Sequence, residues 1–465
     1  MVINPSIFKA YDIRGVYPSD INGENTPLII TAIYRFFTSR LKKSPLSVVL
    51  GRDMRISSPS LYEIAKKALL AEGATVIDTG LVSTPTFYFA VFHYQYDCGI
   101  QISASHNPKE YNGIKFAVRE DHKIVKIGKN TGIDEVRKIA LSETLTERNL
   151  KGSRILHPNV IDDEISFVTK NFDMGGITPF KVVADPANAM GALYLEKLFE
   201  RIPGKLIKMN FDLDGTFPAH QPDPLQFETL HNLQNKVIEE KADLGIAPDG
   251  DGDRVFFIDE KGGIIPATLI TSLITKEILA KSPGETVLVD VRSIGNVRNI
   301  CKKHGGKVSV SHVGHALITE QLNKENAIFA GESSGHFYFR DMGGAESSVR
   351  AILYVLDTMS RTRKPISEIL SSLQTWYESG EINFALSDKS AAQSLLESIE
   401  KKYPDGEVSW LDGLSVDYRI WRFNIRTSNT EPLLRLNVEA EDETVLKTNL
   451  EKILSELKET GAKRK

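Results

Sequence analysis

The sequence predicts an α/β protein built from three similar units, followed by a smaller α+β unit. Short apolar runs typical of strands alternate with segments of helical periodicity, and this alternation recurs about three times along the chain. After about residue 381 the order becomes strand, helix, two strands and a final helix. The repeated alternation indicates parallel strands whose sheet faces are covered by helices.

The first unit shows the pattern most clearly. Apolar runs at residues 47–51, 74–78 and 99–103 predict strands, and residues 60–71 carry apolar side chains at helical spacing. The later units repeat it, with a helix at 192–201 and strands at 181–184, 205–209, 286–291, 308–312 and 327–330. In the C-terminal unit we predict helices at 391–402 and 443–458 and strands at 381–386, 418–425 and 433–438.

Composition excludes several classes of protein. The chain has 465 residues, which at about 150 residues per domain corresponds to about three domains. Its formal net charge is −4, so the overall charge does not favour a nucleic-acid partner. Two cysteines, Cys98 and Cys301, can build neither a disulfide framework nor a CxxC zinc motif. Lys9, Asp12 and Arg14 stand where a signal peptide is apolar, and we find no membrane span, so we expect a cytoplasmic protein.

The first loop whose side chains could take part in catalysis or binding covers residues 103–108, directly after a predicted strand. Ligand sites of α/β sheets gather at the carboxyl ends of strands. Ser105 beside His106 is therefore a candidate nucleophile or phosphate carrier. The alternative is a structural turn in which serine hydroxyls bond the backbone.

The second loop alternates carboxylates with glycine. Asp249, Asp251 and Asp253 stand close together, which is costly unless a cation joins them, and oxygen ligands favour magnesium or calcium over zinc. An EF-hand is disfavoured, because Arg254 takes the place of its glycine and residues 255–258 predict a strand. A solvated acidic turn is the remaining alternative to a magnesium site.

The third loop, residues 331–336, matches the GxSxG pattern of a nucleophile elbow around Ser333. A serine hydrolase of that type needs its histidine after an acid that itself follows the serine. The one histidine beyond Ser333 is His336, on the same loop, so that order cannot be built. The carboxylate, hydroxyls and imidazole of this loop favour recognition of a polyhydroxyl ligand and proton transfer.

The fourth loop, residues 426–432, lies between two predicted strands. Arg426, three hydroxyl groups and an amide could bind phosphate, and a hairpin loop with self-capping side chains is the alternative. Known nucleotide motifs are absent, since neither GxxxxGK[ST] nor a GxGxxG after a strand occurs.

Taken together and in this order, the four loops resemble those of the α-D-phosphohexomutases, and within them the phosphomannomutase/phosphoglucomutase group. Residues 8–15 are similar to the opening motif of that group, and residues 112–116 follow the serine loop as they do in the family. The resemblance covers essentially the whole chain. It implies three α/β domains with mixed sheets and a smaller α+β domain around a central cleft, with bounds of 1–153, 154–254, 255–367 and 368–465.

The resemblance also implies a reaction. A phosphohexomutase would interconvert hexose 1-phosphate and hexose 6-phosphate through a phosphoserine at Ser105 and a hexose 1,6-bisphosphate. Ser105, Asp249, Asp251 and Asp253 would hold Mg²⁺. The other implied catalytic residues are His106, Lys115, Arg14, His336 and Arg254. The implied substrate-binding residues are Lys9, Tyr11, Arg292, His315, Glu332, Ser334, Arg426, Ser428, Asn429 and Thr430.

Departures from the family pattern concern the sugar. Ser333 stands where the mannose and glucose enzymes often have methionine, and Glu346-Ser347 stands where an Asp-Gly pair is common. An amino-sugar mutase on the same scaffold is therefore an alternative. A non-catalytic protein that binds sugar phosphate or metal is the alternative of another class. The expected partners are small hexose phosphates, without nucleic acid or membrane.

Overall fold

The computed structural model describes residues 3–142, 145, 148–386, 392–428, 433–459 and 463–464. Within these ranges the chain forms four sheets in sequence order, each with its own helices. Three sheets mix parallel and antiparallel strands, and the fourth is antiparallel throughout. The predicted fold class is confirmed.

The first unit is built around a seven-stranded sheet in the order β1-β5-β4-β2-β3-β7, with β6 paired to β5. Its strands are β1 (Ile13–Val16), β2 (Ser47–Arg52), β3 (Thr75–Leu81), β4 (Cys98–Ile102), β5 (Tyr111–Glu120), β6 (Lys123–Lys126) and β7 (Ser153–Leu156). Its helices are α1 (Thr26–Leu41), α2 (Ser58–Ala71), α3 (Thr84–His93) and α4 (Ile133–Ala140). Because β4 runs parallel to β2 and antiparallel to β5, the serine loop leaves the sheet at the carboxyl end of a parallel strand.

The second and third units each carry a five-stranded sheet, in the orders β12-β11-β10-β8-β9 and β14-β13-β15-β16-β17. The second contains α5 (Val160–Thr169), β8 (Phe180–Ala184), α6 (Gly191–Phe199), β9 (Gly204–Lys208), α7 (His231–Glu240), β10 (Leu244–Pro248), β11 (Val255–Ile258) and β12 (Ile264–Ile265). The third contains α8 (Ala267–Lys281), β13 (Thr286–Asp290), α9 (Gly295–His304), β14 (Lys307–Ser311), α10 (His315–Glu325), β15 (Phe329–Gly331), β16 (Phe337–Phe339), β17 (Ala345–Glu346), α11 (Ser348–Thr362) and α12 (Ile366–Ser371).

The fourth unit has the sheet order β20-β21-β22-β23-β19-β24, with β18 paired to β23. Its elements are β18 (Tyr377–Glu378), β19 (Ile382–Ala385), α13 (Ala392–Glu400), β20 (Glu407–Ser409), β21 (Leu414–Asp417), β22 (Trp421–Thr427), β23 (Leu433–Ala440), α14 (Glu443–Glu459) and β24 (Lys463–Arg464). Ile453 and Leu457 of α14 are buried against this sheet, on the face that the apolar spacing predicts.

Strand pairing changes the predicted unit boundaries. β11 pairs antiparallel with β10, so the boundary predicted between residues 254 and 255 cuts through the second sheet. The boundary after residue 153 likewise cuts β7, whose residues pair in parallel with β3, and the boundary after residue 367 lies inside α12. We propose that the first unit continues to Leu156 and the second to Ile265.

Helix α3 joins the first three units. Pro85 lies in its first turn, and the Ser83 hydroxyl caps it by accepting a hydrogen bond from the Thr86 backbone N–H. Phe87 and Phe89 are fully buried in a core that also includes residues of the second and third units. Burial of each such ring stabilises the fold by about 1.5–3 kcal/mol. The units therefore pack as one body around α3, and in the parts of the chain described here no helix is both long and apolar enough to cross a membrane.

Glu164 on α5 is a buried carboxyl group at this junction. Its Oε2 accepts a hydrogen bond of 2.6 Å from Thr86 Oγ1, and Oε1 has no hydrogen-bond partner among the described residues. Burial raises the pKa of Glu164 to about 7. The folded protein therefore binds a proton more tightly than the unfolded chain, and stability is lost as pH rises through this range.

We expect Glu164→Gln to change the free energy of unfolding, relative to the wild type, more favourably at pH 8 than at pH 5. The pKa difference between about 7 and the ordinary 4.5 corresponds to a gain of about 2–3 kcal/mol between these pH values, since the amide does not ionise. Urea unfolding at both pH values measures it. Glu239→Gln, on the exposed face of α7, is the control and should show no such difference. An equal effect of Glu164→Gln at both pH values would contradict the prediction.

Candidate active site

Ser105 lies in the loop between β4 and β5, and its backbone is left-handed, with φ of +51°. The side chain is buried. Ser105 Oγ donates to Asp249 Oδ2 at 3.3 Å and lies 3.2 Å from His106 Nδ1. The closeness of the two loops depends on Gly250, because a Cβ there would lie 2.4 Å from the Ser105 carbonyl oxygen. The serine of the first unit thus faces the acidic loop of the second.

The acidic loop is a hairpin turn between the antiparallel strands β10 and β11. Asp249 Oδ1 accepts hydrogen bonds from the backbone N–H groups of Gly252 at 3.0 Å and Arg254 at 3.2 Å. This turn places one carboxylate oxygen each of Asp249, Asp251 and Asp253 within 4.8 Å of one another. Strands flank the loop on both sides, so its surroundings differ from those of an EF-hand.

Two cationic groups balance this charge. Lys115 Nζ lies 2.5 Å from Asp251 Oδ2 and 2.8 Å from Asp253 Oδ2. Although burial opposes ionisation, Lys115 and His336 hold the pKa of Asp253 well below its ordinary value. Burial, together with the charges of Asp253 and Asp251, raises the pKa of Asp249. Adding a cation would remove this repulsion among the carboxylates.

The donor set fits magnesium. All three side chains are buried and supply hard oxygen ligands, and Asp251 Oδ1 has no hydrogen-bond partner within the described part of the chain. An unpartnered buried carboxylate oxygen is costly, and coordination would satisfy it. The Ser105 hydroxyl lies on the same side, beside Asp249. The three carboxylates therefore form an acidic cluster that could hold a metal ion.

The third loop turns between the antiparallel strands β15 and β16. His336 is its central residue, since Nε2 lies 3.2 Å from Asp253 Oδ1 and Nδ1 lies 3.0 Å from both Glu332 Oε2 and Ser334 Oγ. Burial alone would lower the pKa of His336, but Asp253 and Glu332 raise it to about 9. The imidazolium of His336 thus links the third loop to the acidic turn. Ser333 lies between two strands and not at a strand-to-helix elbow.

Arg292 and Arg426 both lie near the carboxylate of Glu381, a residue that the sequence did not indicate as part of the site. Arg292 bonds both oxygens of Asp290, at 2.9 and 3.0 Å, and lies 3.2 Å from Glu332 Oε1. Glu381 Oε2 lies 3.9 Å from Arg292 Nη1 and 2.7 Å from Arg426 Nη2. The third and fourth units therefore place two buried arginines side by side, which suits an anionic ligand once Glu381 is displaced.

The predicted phosphate loop is described in part. Ser428 is buried, and its backbone N–H donates to the Leu433 carbonyl at 2.9 Å. Asn429 and Thr430 lie outside the described residues. Arg435 on β23 adds another cation, with Nη1 3.1 Å from Glu381 Oε1.

Several of the remaining predicted residues contact the same centre. Arg14 donates to Asn107 Oδ1 on the serine loop, and Arg254 lies 3.9 Å from Asp249. Burial together with nearby cations lowers the pKa of His106 well below its ordinary value. The Tyr11 hydroxyl donates to the Val313 carbonyl at 3.2 Å, and its ring packs 5.5 Å from His315, which in turn stacks 6.4 Å from His336. Lys9 is exposed on the loop before Tyr11.

Three contacts at the centre come from residues that the sequence analysis did not identify. Thr84 at the start of α3 donates to Asp251 Oδ2 at 2.6 Å, and Gln221 Nε2 donates to the His106 carbonyl. Arg55 bonds the backbone of the serine loop. In sequence they look like a helix cap, a polar loop residue and a surface arginine, so no local signal separates them from ordinary positions.

Four family models match the chain in order. They are the phosphoglucomutase/phosphomannomutase alpha/beta/alpha domains I, II and III, over residues 5–147, 165–263 and 266–377, and the C-terminal domain, over residues 381–455. Together they cover most of the sequence. The chain belongs to the phosphoglucomutase/phosphomannomutase family. The resemblance seen in the four loops is thereby confirmed.

Similar proteins of known name agree with this family assignment. A phosphomannomutase of Vibrio cholerae is 36% identical over 451 residues, covering 94% of this chain and 95% of its own. A phosphomannomutase of Methanocaldococcus jannaschii is 34% identical, covering 96% of each chain. The crystal structure of a family protein from Burkholderia thailandensis superposes with a TM-score of 0.88 at 29% identity and covers 100% of both chains. The protein is a phosphohexomutase, an isomerase of carbohydrate metabolism that transfers a phosphoryl group.

Proposed function

We propose that the enzyme interconverts the 1-phosphates and 6-phosphates of mannose, glucose or both through a phosphoserine at Ser105. The observation that carries this proposal is the contact of Ser105 Oγ with Asp249 at 3.3 Å, beside Asp251, Asp253 and the buried Lys115. A hydroxyl beside a carboxylate cluster that a buried ammonium neutralises suits a phosphoryl group that is taken up and given away repeatedly.

The proposed reaction balances as two transfers. A hydroxyl oxygen of the hexose phosphate attacks phosphorus, a new O–P bond forms, and the bond to Ser105 Oγ breaks. The proton lost by the hydroxyl ends on Ser105 Oγ, so the products are a hexose 1,6-bisphosphate and a free serine hydroxyl. The bisphosphate turns over in the cleft, and its other phosphoryl group returns to Ser105 Oγ. The same bisphosphate charges an unphosphorylated enzyme, which accounts for its proposed role as activator.

Proton transfer and binding are assigned from contacts. His336, with its pKa of about 9, and Lys115 lie beside the carboxylates and are the groups proposed to move protons or neutralise charge. Arg14, His106 and Arg254 border the serine loop. We propose that the sugar and its second phosphate are held by Glu332, Ser334, Arg292, Arg426, Ser428, Asn429 and Thr430, with Lys9, Tyr11 and His315 at the rim.

Magnesium is the proposed cofactor. Asp249, Asp251 and Asp253 fit it, together with Ser105, and when bound it would neutralise phosphate charge and make phosphorus more electrophilic. A cytoplasmic location and the absence of nucleic-acid or membrane partners stay predictions. The non-catalytic alternative is not supported, because the serine, the three aspartates and His336 are all present and in contact.

A substrate panel tests the proposal. We expect a coupled assay with Mg²⁺ and catalytic hexose 1,6-bisphosphate to show turnover of mannose 1-phosphate or glucose 1-phosphate, and faster turnover than with glucosamine 1-phosphate or N-acetylglucosamine 1-phosphate. Faster conversion of an amino sugar would support the alternative mutase. Failure of all four substrates would refute the proposed reaction.

A further inference from the structure

Arg55 is an arginine whose side chain is fully buried, and every terminal nitrogen faces the serine loop. Its Nη1 donates to the carbonyls of Pro108 at 2.8 Å and Tyr111 at 3.0 Å. Its Nη2 donates to the carbonyls of Ser105 at 2.7 Å and Asn107 at 2.6 Å. One guanidinium therefore binds four backbone oxygens, three from the loop that carries the proposed nucleophile and one from the first residue of β5.

This arrangement matters because of the backbone of Ser105. Its φ of +51° lies in the left-handed region, which costs a non-glycine residue free energy unless the surroundings enforce it. In that conformation the Ser105 carbonyl points towards Arg55, while the side chain points towards Asp249. Because the carbonyl and the hydroxyl belong to one residue, the hydrogen bond that fixes the carbonyl also restricts the orientation of the hydroxyl.

Arg55 is itself held rigidly. Asp53 Oδ2 lies 3.2 Å from Arg55 Nε, and Asp53 Oδ1 accepts from the Arg55 backbone N–H at 3.0 Å. The guanidinium lies 5.2 Å from the ring centre of Phe217, which belongs to the second unit. Gly215 of the second unit packs directly against the backbone of Arg55, since a Cβ there would lie 2.6 Å from Arg55 Cα. The arginine is therefore fixed from both units that supply the serine and the acidic turn.

We propose that Arg55 is a positioning residue for phosphoryl transfer, which keeps Ser105 in the left-handed backbone conformation that directs its Oγ to the acidic turn. This inference rests on the proposed function of Ser105. Both terminal nitrogens of Arg55 already donate to backbone carbonyls, so we assign it an action through the backbone. Lysine cannot replace it, because a single ammonium lacks the planar fork that reaches four acceptors at fixed angles.

The test compares Arg55→Lys with Arg350→Lys. Arg350 on α11 is also a buried arginine, held by Asp341 and the Phe339 ring, away from the serine loop. We expect both variants to lower the melting temperature. In Arg55→Lys alone, kcat falls by about 100-fold, and phosphorylation of Ser105 by glucose 1,6-bisphosphate slows to the same extent. KM stays near its original value, because other loops hold the substrate.

A second variant keeps the test decisive if Arg55→Lys does not fold. Asp53→Asn retains the arginine but removes its anionic partner, and it should lower kcat in the same direction with a smaller effect. Wild-type kcat in the folded variants, with only the melting temperature lowered, would overturn the role of Arg55. Absence of phosphate on Ser105 in the wild-type enzyme would instead overturn the proposed function, so the two failures are distinguishable by intact-protein mass spectrometry.

Discussion

Ser105→Ala is expected to lower mutase activity by at least about 1000-fold, because the phosphoryl group loses the oxygen that accepts it. Ser105 Oγ lies against the acidic turn and donates to Asp249 Oδ2 at 3.3 Å. After incubation with glucose 1,6-bisphosphate, phosphopeptide mapping should place phosphate on Ser105 in the wild-type enzyme and find none in the variant.

The control is Ser311→Ala. Ser311 is another buried serine at the carboxyl end of a strand, β14, and its hydroxyl has no hydrogen-bond partner in the described part of the chain. It should keep both activity and the phosphate on Ser105. Full mutase activity of Ser105→Ala, or phosphate found on a different residue, would contradict the phosphoserine mechanism.

Asp251→Asn is expected to weaken Mg²⁺ binding by at least about tenfold and to slow turnover strongly. Even partners outside the coordination sphere change metal affinity by about 10–100-fold. The substitution removes one of three buried carboxylates and leaves Lys115 with one anionic partner, Asp253. Calorimetric titration of Mg²⁺ into the protein measures the affinity without depending on activity.

Asp259→Asn is the matched control for this change. Asp259 caps the turn between β11 and β12, where its Oδ1 accepts from the backbone N–H of Lys261 at 3.0 Å, and an amide oxygen can do the same. Its magnesium affinity and turnover should equal those of the wild type. If Asp251→Asn kept the wild-type affinity, Asp251 would not be a metal ligand.

Local patterns predicted the fold class and many of the strands, but only four of the described helices, α2, α6, α13 and α14. The strands predicted at 47–51 and 181–184 are β2 and β8, and the helix predicted at 443–458 is α14. The helix has apolar residues at helical spacing on its buried side, and the strands are short apolar runs. Helix α3 was missed, because nearly all of its side chains are buried and its sequence has no polar face from which to recognise a period.

The residues proposed for the site were likewise chosen from short segments of sequence. Three aspartates spaced by glycine, or a serine beside a histidine after a strand, carry their meaning in consecutive residues. Glu381, Arg435 and Thr84 carry no such signal. A charged residue at a strand edge or a threonine at a helix start is usually a solvated surface group or a cap, and only its neighbours in space identify it.

By itself the sequence determined the fold class, the resemblance to the family and the order in which the four loops occur. Only the tertiary structure shows that Ser105 contacts Asp249, 144 residues away, and that Arg55 donates a hydrogen bond to the backbone of the serine loop. The physical reason is that periodicity and turn chemistry act between near neighbours. The meeting of distant loops depends instead on how sheets and helices of separate units pack around α3.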